Sequence, residues 1–328
     1  MKNRKKVIAI LMGDPSGIGA ELISKILSHN ILKKINIIII GEKFIFDKYI
    51  AQQKVNKSIK YIHNIDQIEF DNTNKIYFDI TKQKTKFPIG KANKKSGISV
   101  LNSINLAVNL FNKKKIDGIN FAPFNKTSLE LAGMKVKDEL HYFKNKFKIK
   151  NYVCELNVLN NFWTARVTSH IPLKEVPKNI TIKNILEPIK LINKYLKMNG
   201  LKYPKIAVQA LNPHAEFGSE EKKIIIPAIR KANSMKISTH GPLPCDTSFI
   251  TAYKNKEYDC LVGMYHDAIQ SGLKSFGFEK GVTVQGGLPI PITTPAHGTA
   301  FDIVGKNKAN TNPTLESLKL LIRLVSKS

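Results

Sequence analysis

Four short, almost continuous apolar runs recur in the first 124 residues, separated by turns and by stretches of different character. These runs are Lys6–Met12, Ile35–Ile40, Lys75–Ile80 and Gly118–Phe124. Runs that are apolar at nearly every position are typical of parallel strands buried on both faces of a sheet. Between them, 44–53 and Ser99–Lys115 show helical patterns, the second with a clear apolar face. Strands that alternate with helices predict a parallel α/β sheet.

The N-terminus resembles a secretory leader only briefly. The apolar part of Lys6–Met12 is too short for a leader's apolar region, and a Gly-Asp-Pro turn follows where a cleavage site would stand. We therefore predict a buried strand, then a helix to about Ser28 with Ser16 as its N-cap. The glycines of GDPSGIG do not have the spacing of the dinucleotide-binding motif G-x-G-x-x-G.

The formal charge of +27 does not point to a nucleic-acid partner. Nearly all of it is lysine spread along the chain, whereas base and phosphate recognition relies on clustered arginine. The four arginines are Arg4, Arg166, Arg230 and Arg323. We expect no nucleic acid, no membrane span and a basic surface that attracts anionic substrates. Three cysteines without metal-type spacing fit a cytoplasmic protein.

The middle of the chain has a different pattern. Residues 152–169 read as two strands joined by Asn160-Asn161, which predicts a hairpin. Further patterns predict helices and strands in alternation after it. The helices are 181–198, 219–233 and 314–326, and the strands are 205–211 and 259–264.

Three of the eight histidines each follow or close a predicted strand. They are His170, His214 and His266. Carboxyl ends of neighbouring parallel strands converge, and three neutral imidazoles there would bind a divalent metal with positions left for a substrate. Any one histidine alone is better explained as a hydrogen-bonded polar residue at a strand end, whereas the shared placement of the three leaves both interpretations open.

The segment Gly263–Asn312 is poor in helical periodicity but dense in reactive side chains. It contains His266, His297, four lysines, glycine-rich turns and a proline-rich loop. Such a composition favours a functional site over a scaffold.

Seven motifs occur in order across nearly the whole chain: GDPSGIGAEL, APFNK, SHIPL, LNPHA, GPLPCDT, MYHDAIQSGLK and GLPIPITTPAHGTAFDI. Together they closely resemble the family of 4-hydroxythreonine-4-phosphate dehydrogenase, an enzyme of vitamin B6 synthesis. The stretch HGTAFDIVGKNKAN is similar to the loop with which isocitrate and isopropylmalate dehydrogenases hold the adenosine of NAD. The resemblance implies their two-lobed α/β fold, with central mixed sheets flanked by helices and an active site in the interdomain cleft. We expect one domain at 1–130 plus 300–328, and a second at 131–299 that carries the metal and NAD loops.

The resemblance also assigns residues to sites. It implies divalent-metal ligands (Zn, Co or Mg) at His170, His214 and His266, the third from the other subunit of a homodimer. Lys274 matches a substrate-binding lysine. Asp246 and Asp267 are the nearest acid/base candidates, with orientation of a histidine as the alternative role. Contacts to NAD, with NADP as the alternative cofactor, are implied for His297, Gly298, Thr299, Ala300, Asp302 and Asn310.

The implied reaction is oxidation of a 3-hydroxy acid by hydride transfer to NAD, after which the 3-keto acid loses CO2. A metal polarises the hydroxyl and stabilises the enolate oxygen that decarboxylation leaves. Lys274 would add positive charge beside the developing anion.

The substrate positions depart from the family pattern. Glu139-Leu140 stand where a His-Thr pair is usual in the family, and His141 lies one or two positions away. Thr283 replaces an asparagine that contacts the substrate. Ile292 replaces an arginine that binds the substrate phosphate. Isoleucine cannot supply the arginine–phosphate fork. Three functions stay open: the B6 enzyme, a sibling dehydrogenase of a non-phosphorylated hydroxy acid or cyclic diol carboxylate, and a non-catalytic ligand-binding descendant. Ile292 predicts weak activity on 4-phosphohydroxy-L-threonine and better activity on a non-phosphorylated substrate.

Overall fold

The computed structural model describes residues 4–53, 59–70, 75–79, 86–277 and 280–327. The chain divides into two compact units, Met1–Lys150 with Leu288–Ser326, and Asn151–Gly287 with Lys327–Ser328. The expected domain boundaries near 130 and 300 are therefore displaced. The helix at 139–146 and the strand at 292–295 belong to the first unit. The helix contacts the long helix at 94–112 of that unit, and the strand pairs into its sheet. The expected NAD loop lies in the first unit and the three histidines lie in the second.

The first unit is built on a parallel sheet. The strands are β1 Val7–Leu11, β2 Asn36–Gly41, β3 Lys60–Ile62, β4 Lys75–Asp79, β5 Gly118–Phe121 and β12 Ile292–Pro295. Their order in the sheet is β3-β4-β2-β1-β5-β12, and neighbouring strands pair in parallel. The four predicted apolar runs are confirmed as β1, β2, β4 and β5, and Ile80 lies outside the described residues.

Three helices of the first unit are capped by the side chains of Asn93, Asn125 and Asp138. The helix bounds in this unit are α1 Gly19–Ile26, α2 Lys43–Gln52, α3 Lys94–Asn112, α4 Lys126–Leu131, α5 Glu139–Lys146 and α11 Asn312–Ser326. The prediction of Ser16 as an N-cap is wrong. Its hydroxyl lies 2.8 Å from the Ser96 hydroxyl and accepts a hydrogen bond from Asn93, and α1 begins three residues later. Helix α3 begins at Lys94, five residues before the predicted start at Ser99, because the Asn93 side chain accepts from the Ser96 N–H and caps the helix.

The strands of the second unit are β6 Cys154–Leu159, β7 Phe162–Arg166, β8 Ile206–Gln209, β9 Thr239–Leu243, β10 Cys260–Gly263 and β11 Val282–Gly286. They form a mixed sheet in the order β11-β6-β7-β10-β8-β9. Strand β6 is antiparallel to β11 and β7, while β7, β10, β8 and β9 run parallel. The predicted hairpin is confirmed by the antiparallel pairing of β6 and β7. Asn160 and Asn161 in its turn have φ values of 48° and 69°, and asparagine tolerates this left-handed region in two-residue turns.

Its helices are α6 Val176–Asn179, α7 Ile182–Met198, α8 Ile226–Ser234, α9 Cys245–Phe249 and α10 His266–Ser275. Two π-helical turns, Glu221–Ile225 and Ile250–Lys254, precede α8 and follow α9. The expectation of little helix after Gly263 is wrong for α10. That helix buries only Ile269 and Leu273 and packs Gly272 against Phe249, so its sequence contains few apolar positions that could indicate a helix. Within the described residues, none of the helices has the length and apolar character needed to span a bilayer.

Candidate functional site

The three histidines follow three neighbouring strands. Strands β7, β10 and β8 are adjacent and parallel, and His170, His266 and His214 come after their respective carboxyl ends. The rings of His170 and His266 lie side by side, with 5.1 Å between their centroids. The three histidines thus follow the same edge of the sheet, as expected. The side chains of His170 and His266 lie close together.

The backbone at two of these histidines is unusual. His170 and His214 have φ values of 54° and 55°, in the left-handed region that residues with a Cβ seldom adopt. Such conformations persist where the surroundings hold them, often at functional sites. Before His170, the Thr168 N–H and hydroxyl both donate to the carbonyl of Met264, at 3.1 and 2.8 Å. The segment that precedes His170 is therefore hydrogen-bonded to the segment that precedes His266.

His266 has an adjacent carboxylate partner. Its Nδ1 lies 2.6 Å from Asp267 Oδ1, and the imidazole is half-buried. A carboxylate on Nδ1 favours the tautomer with the proton there, which leaves Nε2 as a lone-pair donor. Asp267 therefore makes the contact expected of a residue that orients a histidine, which is the alternative to its role as an acid or base. Asp246 is exposed in the first turn of α9.

The loop that carries His214 is anchored by a buried carboxylate. Glu221, 2% exposed, accepts from the backbone N–H groups of Leu211 and Asn212 at 2.9 and 2.8 Å, and from the Asn212 side chain at 2.8 Å. Burial alone would raise the pKa of Glu221, but the hydrogen bonds led by Asn212 outweigh it and lower this pKa below its ordinary value. Sequence reasoning missed Glu221; its only signal was an acidic residue at the start of a predicted helix.

Replacing Glu221 with glutamine should destabilise the protein by about 1.5–3 kcal/mol at neutral pH, because charge-assisted hydrogen bonds are lost. Because the folded-state pKa lies below the unfolded one, this stabilisation is complete above the unfolded pKa and disappears as pH falls through the folded one. Urea unfolding of wild type and Glu221→Gln should therefore differ at pH 7 and converge in acid. Glu216→Gln, at an exposed position of the same loop, is the control; an equal loss in both variants would contradict the anchor.

The described part of one chain supplies two clustered imidazoles but not a complete metal site. Among these residues, no three His, Cys, Asp or Glu side chains gather closely enough to hold an ion. The adjacent imidazoles of His170 and His266 suit Zn²⁺ or Co²⁺ better than Mg²⁺, which prefers oxygen ligands. A ligand contributed by a partner subunit stays a prediction.

The expected substrate residues lie in both units. In the second, Lys274 is exposed on α10, two turns after His266, and half-buried Thr283 accepts a hydrogen bond from the Asn157 amide at 3.1 Å. In the first, Glu139 and Leu140 open α5, and Leu140 is only 2% exposed.

Two further positions at which the sequence departs from the family pattern lie in the first unit. His141 Nδ1 lies 2.6 Å from Oδ1 of Asp138, the N-cap of α5. Ile292 is the first residue of β12 and is fully buried, with 0% exposure. Its side chain therefore packs inside the first unit.

The expected cofactor loop packs on the start of α1. The Ile18 N–H donates to the Thr299 carbonyl at 3.2 Å, and a Cβ at Gly17 would lie 3.0 Å from Thr299 Cβ. At the other end, Glu21 accepts from the Ala309 N–H at 2.8 Å and from Lys25 at 2.7 Å. Both ends of the loop are thus held against α1.

His297 offers a buried acceptor. Its Nδ1 donates to the Gly298 carbonyl at 2.9 Å, and its buried Nε2 has no partner within the described part of the chain. Burial lowers the pKa of His297, which keeps the ring neutral. A buried acceptor without a partner fits a ligand donor such as the amino group of adenine.

The other expected cofactor residues line the same loop. Ala300 has a left-handed φ of 45°, Gly298 and Asp302 are exposed, and the Asn310 side chain accepts from the Asn312 N–H at the start of α11.

The family model for the pyridoxal phosphate biosynthetic protein PdxA matches residues 33–321. The chain belongs to the PdxA family. A Pasteurella multocida protein provisionally named a 4-hydroxythreonine-4-phosphate dehydrogenase is 41% identical over 93% of both chains. A D-threonate 4-phosphate dehydrogenase of Salmonella typhimurium is 31% identical over 97% of this chain and 99% of its own.

Solved structures agree with this membership. A 4-hydroxythreonine-4-phosphate dehydrogenase from Burkholderia phymatum superposes with a TM-score of 0.81 at 30% identity, covering 98% of this chain and 99% of that one. An isocitrate dehydrogenase from Methylococcus capsulatus gives 0.53 at 12% identity, over 98% and 86% of the two chains. The PdxA fold is therefore confirmed, and it is similar to the fold of isocitrate dehydrogenase.

Proposed function

We propose that this PdxA-family protein is a dehydrogenase that depends on NAD and a divalent metal. It would oxidise a 3-hydroxy acid phosphorylated at its fourth carbon, with loss of CO2, and 4-phosphohydroxy-L-threonine is the default substrate. The observation that carries the proposal is the side-by-side placement of His170 and His266 beyond the ends of parallel strands. A cytoplasmic homodimer is proposed with it, and the free thiols of Cys154, Cys245 and Cys260 suit a reducing compartment.

The residues divide the chemical work. A bound metal would polarise the substrate hydroxyl, and NAD would accept the hydride. Asp267 holds the proton on His266 Nδ1, so that Nε2 stays free to ligate. Lys274, exposed on the same helix, supplies positive charge for the carboxylate or the developing enolate.

A hydrogen bond from the cofactor to His297 would make that residue a binding determinant. His297→Phe removes the acceptor while keeping a flat ring, and we expect the dissociation constant for NAD to rise by about five- to tenfold, corresponding to about 1 kcal/mol. Calorimetric titration of wild type and variant with NAD measures this change. If His297→Phe binds NAD with wild-type affinity, His297 does not contribute to the cofactor site.

The substrate's phosphate is the point that needs testing. The Pasteurella and Salmonella relatives are named for 4-phosphorylated substrates, which supports such a substrate here. Ile292, buried and apolar, favours the second candidate, a non-phosphorylated hydroxy acid or cyclic diol carboxylate. Each charge-assisted hydrogen bond missing from the phosphate would cost about 1.5–3 kcal/mol, or roughly ten- to hundredfold in affinity.

The two candidates are separated by kcat/KM for 4-phosphohydroxy-L-threonine, D-threonate 4-phosphate and non-phosphorylated analogues. Ile292→Arg should be assayed beside wild type, with Ile292→Met as the control, because an arginine at a fully buried position also tests the fold. A high wild-type value on a phosphorylated substrate, unchanged by the arginine, would eliminate the second candidate. Activity confined to non-phosphorylated acids would eliminate the first.

A further inference from the structure

Arg166 is a charged side chain in the interior of the second unit. It is the last residue of β7 and only 4% exposed. A guanidinium stays protonated in proteins, so the charge itself is buried. A well-packed apolar residue is often as stabilising as a buried ion pair. The presence of arginine here therefore calls for a role other than stability.

The guanidinium holds three partners in fixed directions. It donates from Nη2 to Glu155 Oε2 at 2.6 Å, from Nη1 to Asn157 Oδ1 at 2.8 Å, and from Nε to Ser169 Oγ at 2.9 Å. Glu155 and Asn157 belong to β6, and Ser169 lies in the loop after β7. A planar fork constrains its partners more tightly than a lysine would.

Asn157 extends the contact to a helix. Its Oδ1 also accepts from Gln270 Nε2 at 2.7 Å, while its Nδ2 donates to Thr283 Oγ1 at 3.1 Å. The oxygen thus accepts two hydrogen bonds and the amino group donates one, which fixes the orientation of the amide. Gln270 lies on α10, one turn after His266.

Both ends of this network adjoin an expected metal ligand. Ser169 immediately precedes His170, whose backbone is in the left-handed region. Gln270 and His266 are four positions apart and share one face of α10. Arg166 is therefore one hydrogen bond from the His170 loop and, through Asn157, two from the helix that begins at His266.

We propose that Arg166 is a positioning residue that orients the loop of His170 and the helix that begins at His266, so that both imidazoles are placed to bind a divalent metal. This inference rests on the proposed function of the site. Arg166 acts through Ser169 and Asn157, in the way that outer partners orient metal ligands. Loss of such partners typically weakens metal binding about 10- to 100-fold.

Co²⁺ titration of the metal-free full-length protein, followed by visible absorption, tests the proposal. Arg166→Met should weaken Co²⁺ binding by about 10- to 100-fold and change the ligand-field spectrum. Arg166→Lys, which keeps the charge but not the fork, should fall between. Gln270→Met removes only the link to α10 and should weaken binding by about tenfold; it decides the question if Arg166→Met does not fold.

Two controls separate positioning from general stability. Arg230→Met changes an exposed arginine on α8 and should bind Co²⁺ as wild type does. Leu261→Ala opens a cavity in the core of the same unit and should lower Tm without changing the Co²⁺ spectrum. Wild-type affinity and spectrum in Arg166→Met, or in Gln270→Met where the former does not fold, would overturn the proposal. A wild-type protein that binds no Co²⁺ would instead overturn the proposed function, and the positioning role with it.

Discussion

Replacing His170, His214 or His266 with alanine is expected to lower kcat/KM by at least about 100-fold, with loss of bound metal. Changes to the outer partners of a ligand typically cost 10- to 100-fold in affinity or activity, and the loss of a ligand itself costs more. Chelation of the wild-type protein should abolish turnover. Zn²⁺ or Co²⁺ should restore it better than Mg²⁺, because imidazole donors suit those ions.

Metal content by elemental analysis, measured beside kcat/KM, checks this prediction. His63→Ala is the matched control, since His63 is an exposed histidine of the first unit, and it should keep both metal and activity. Wild-type metal stoichiometry in all three site variants would show that the site is wrongly assigned.

Mixed dimers of His170→Ala and His266→Ala subunits are expected to recover about half of the wild-type activity. Family resemblance implies that His266 serves the partner's site. One site of the mixed dimer then combines an intact His170 and His214 with an intact His266 of the other chain, while the second site lacks two ligands. Each homodimer carries one defect in every site and should be inactive.

The experiment is decisive because His170 and His266 also lie together within one chain. Co-expression with two different tags isolates the mixed dimers for kcat measurement. Mixed dimers of His170→Ala and His214→Ala subunits are the control, since in them every site lacks a ligand in either arrangement. If verified His170→Ala/His266→Ala dimers show no recovery, each site is built within one chain.

Local pattern was sufficient for much of the fold. The runs that became β1 and β2 are apolar throughout, and Asn160-Asn161 carries its own turn preference, so these elements were readable without tertiary information. The placement of three histidines after strand ends also followed from local pattern, because parallel strands end at a common edge.

The features that the sequence did not predict depend on contacts with residues that are distant in the sequence. Glu221 and Arg166 gain their roles from backbone and side-chain groups that only the folded chain brings near. The buried position of Ile292 likewise results from its pairing with β5. Helix α10 was missed because few of its positions are apolar, and only Ile269 and Leu273 are buried.

The most direct test of the central claim is metal-dependent formation of NADH and CO2 from a 3-hydroxy acid. The metal-loaded protein should be incubated with NAD and 4-phosphohydroxy-L-threonine, D-threonate 4-phosphate or their non-phosphorylated analogues. We predict NADH and CO2 in equal amounts from at least one of them, with no product after chelation. Metal-loaded, folded protein that forms no NADH from any of these substrates would contradict the assignment as a dehydrogenase.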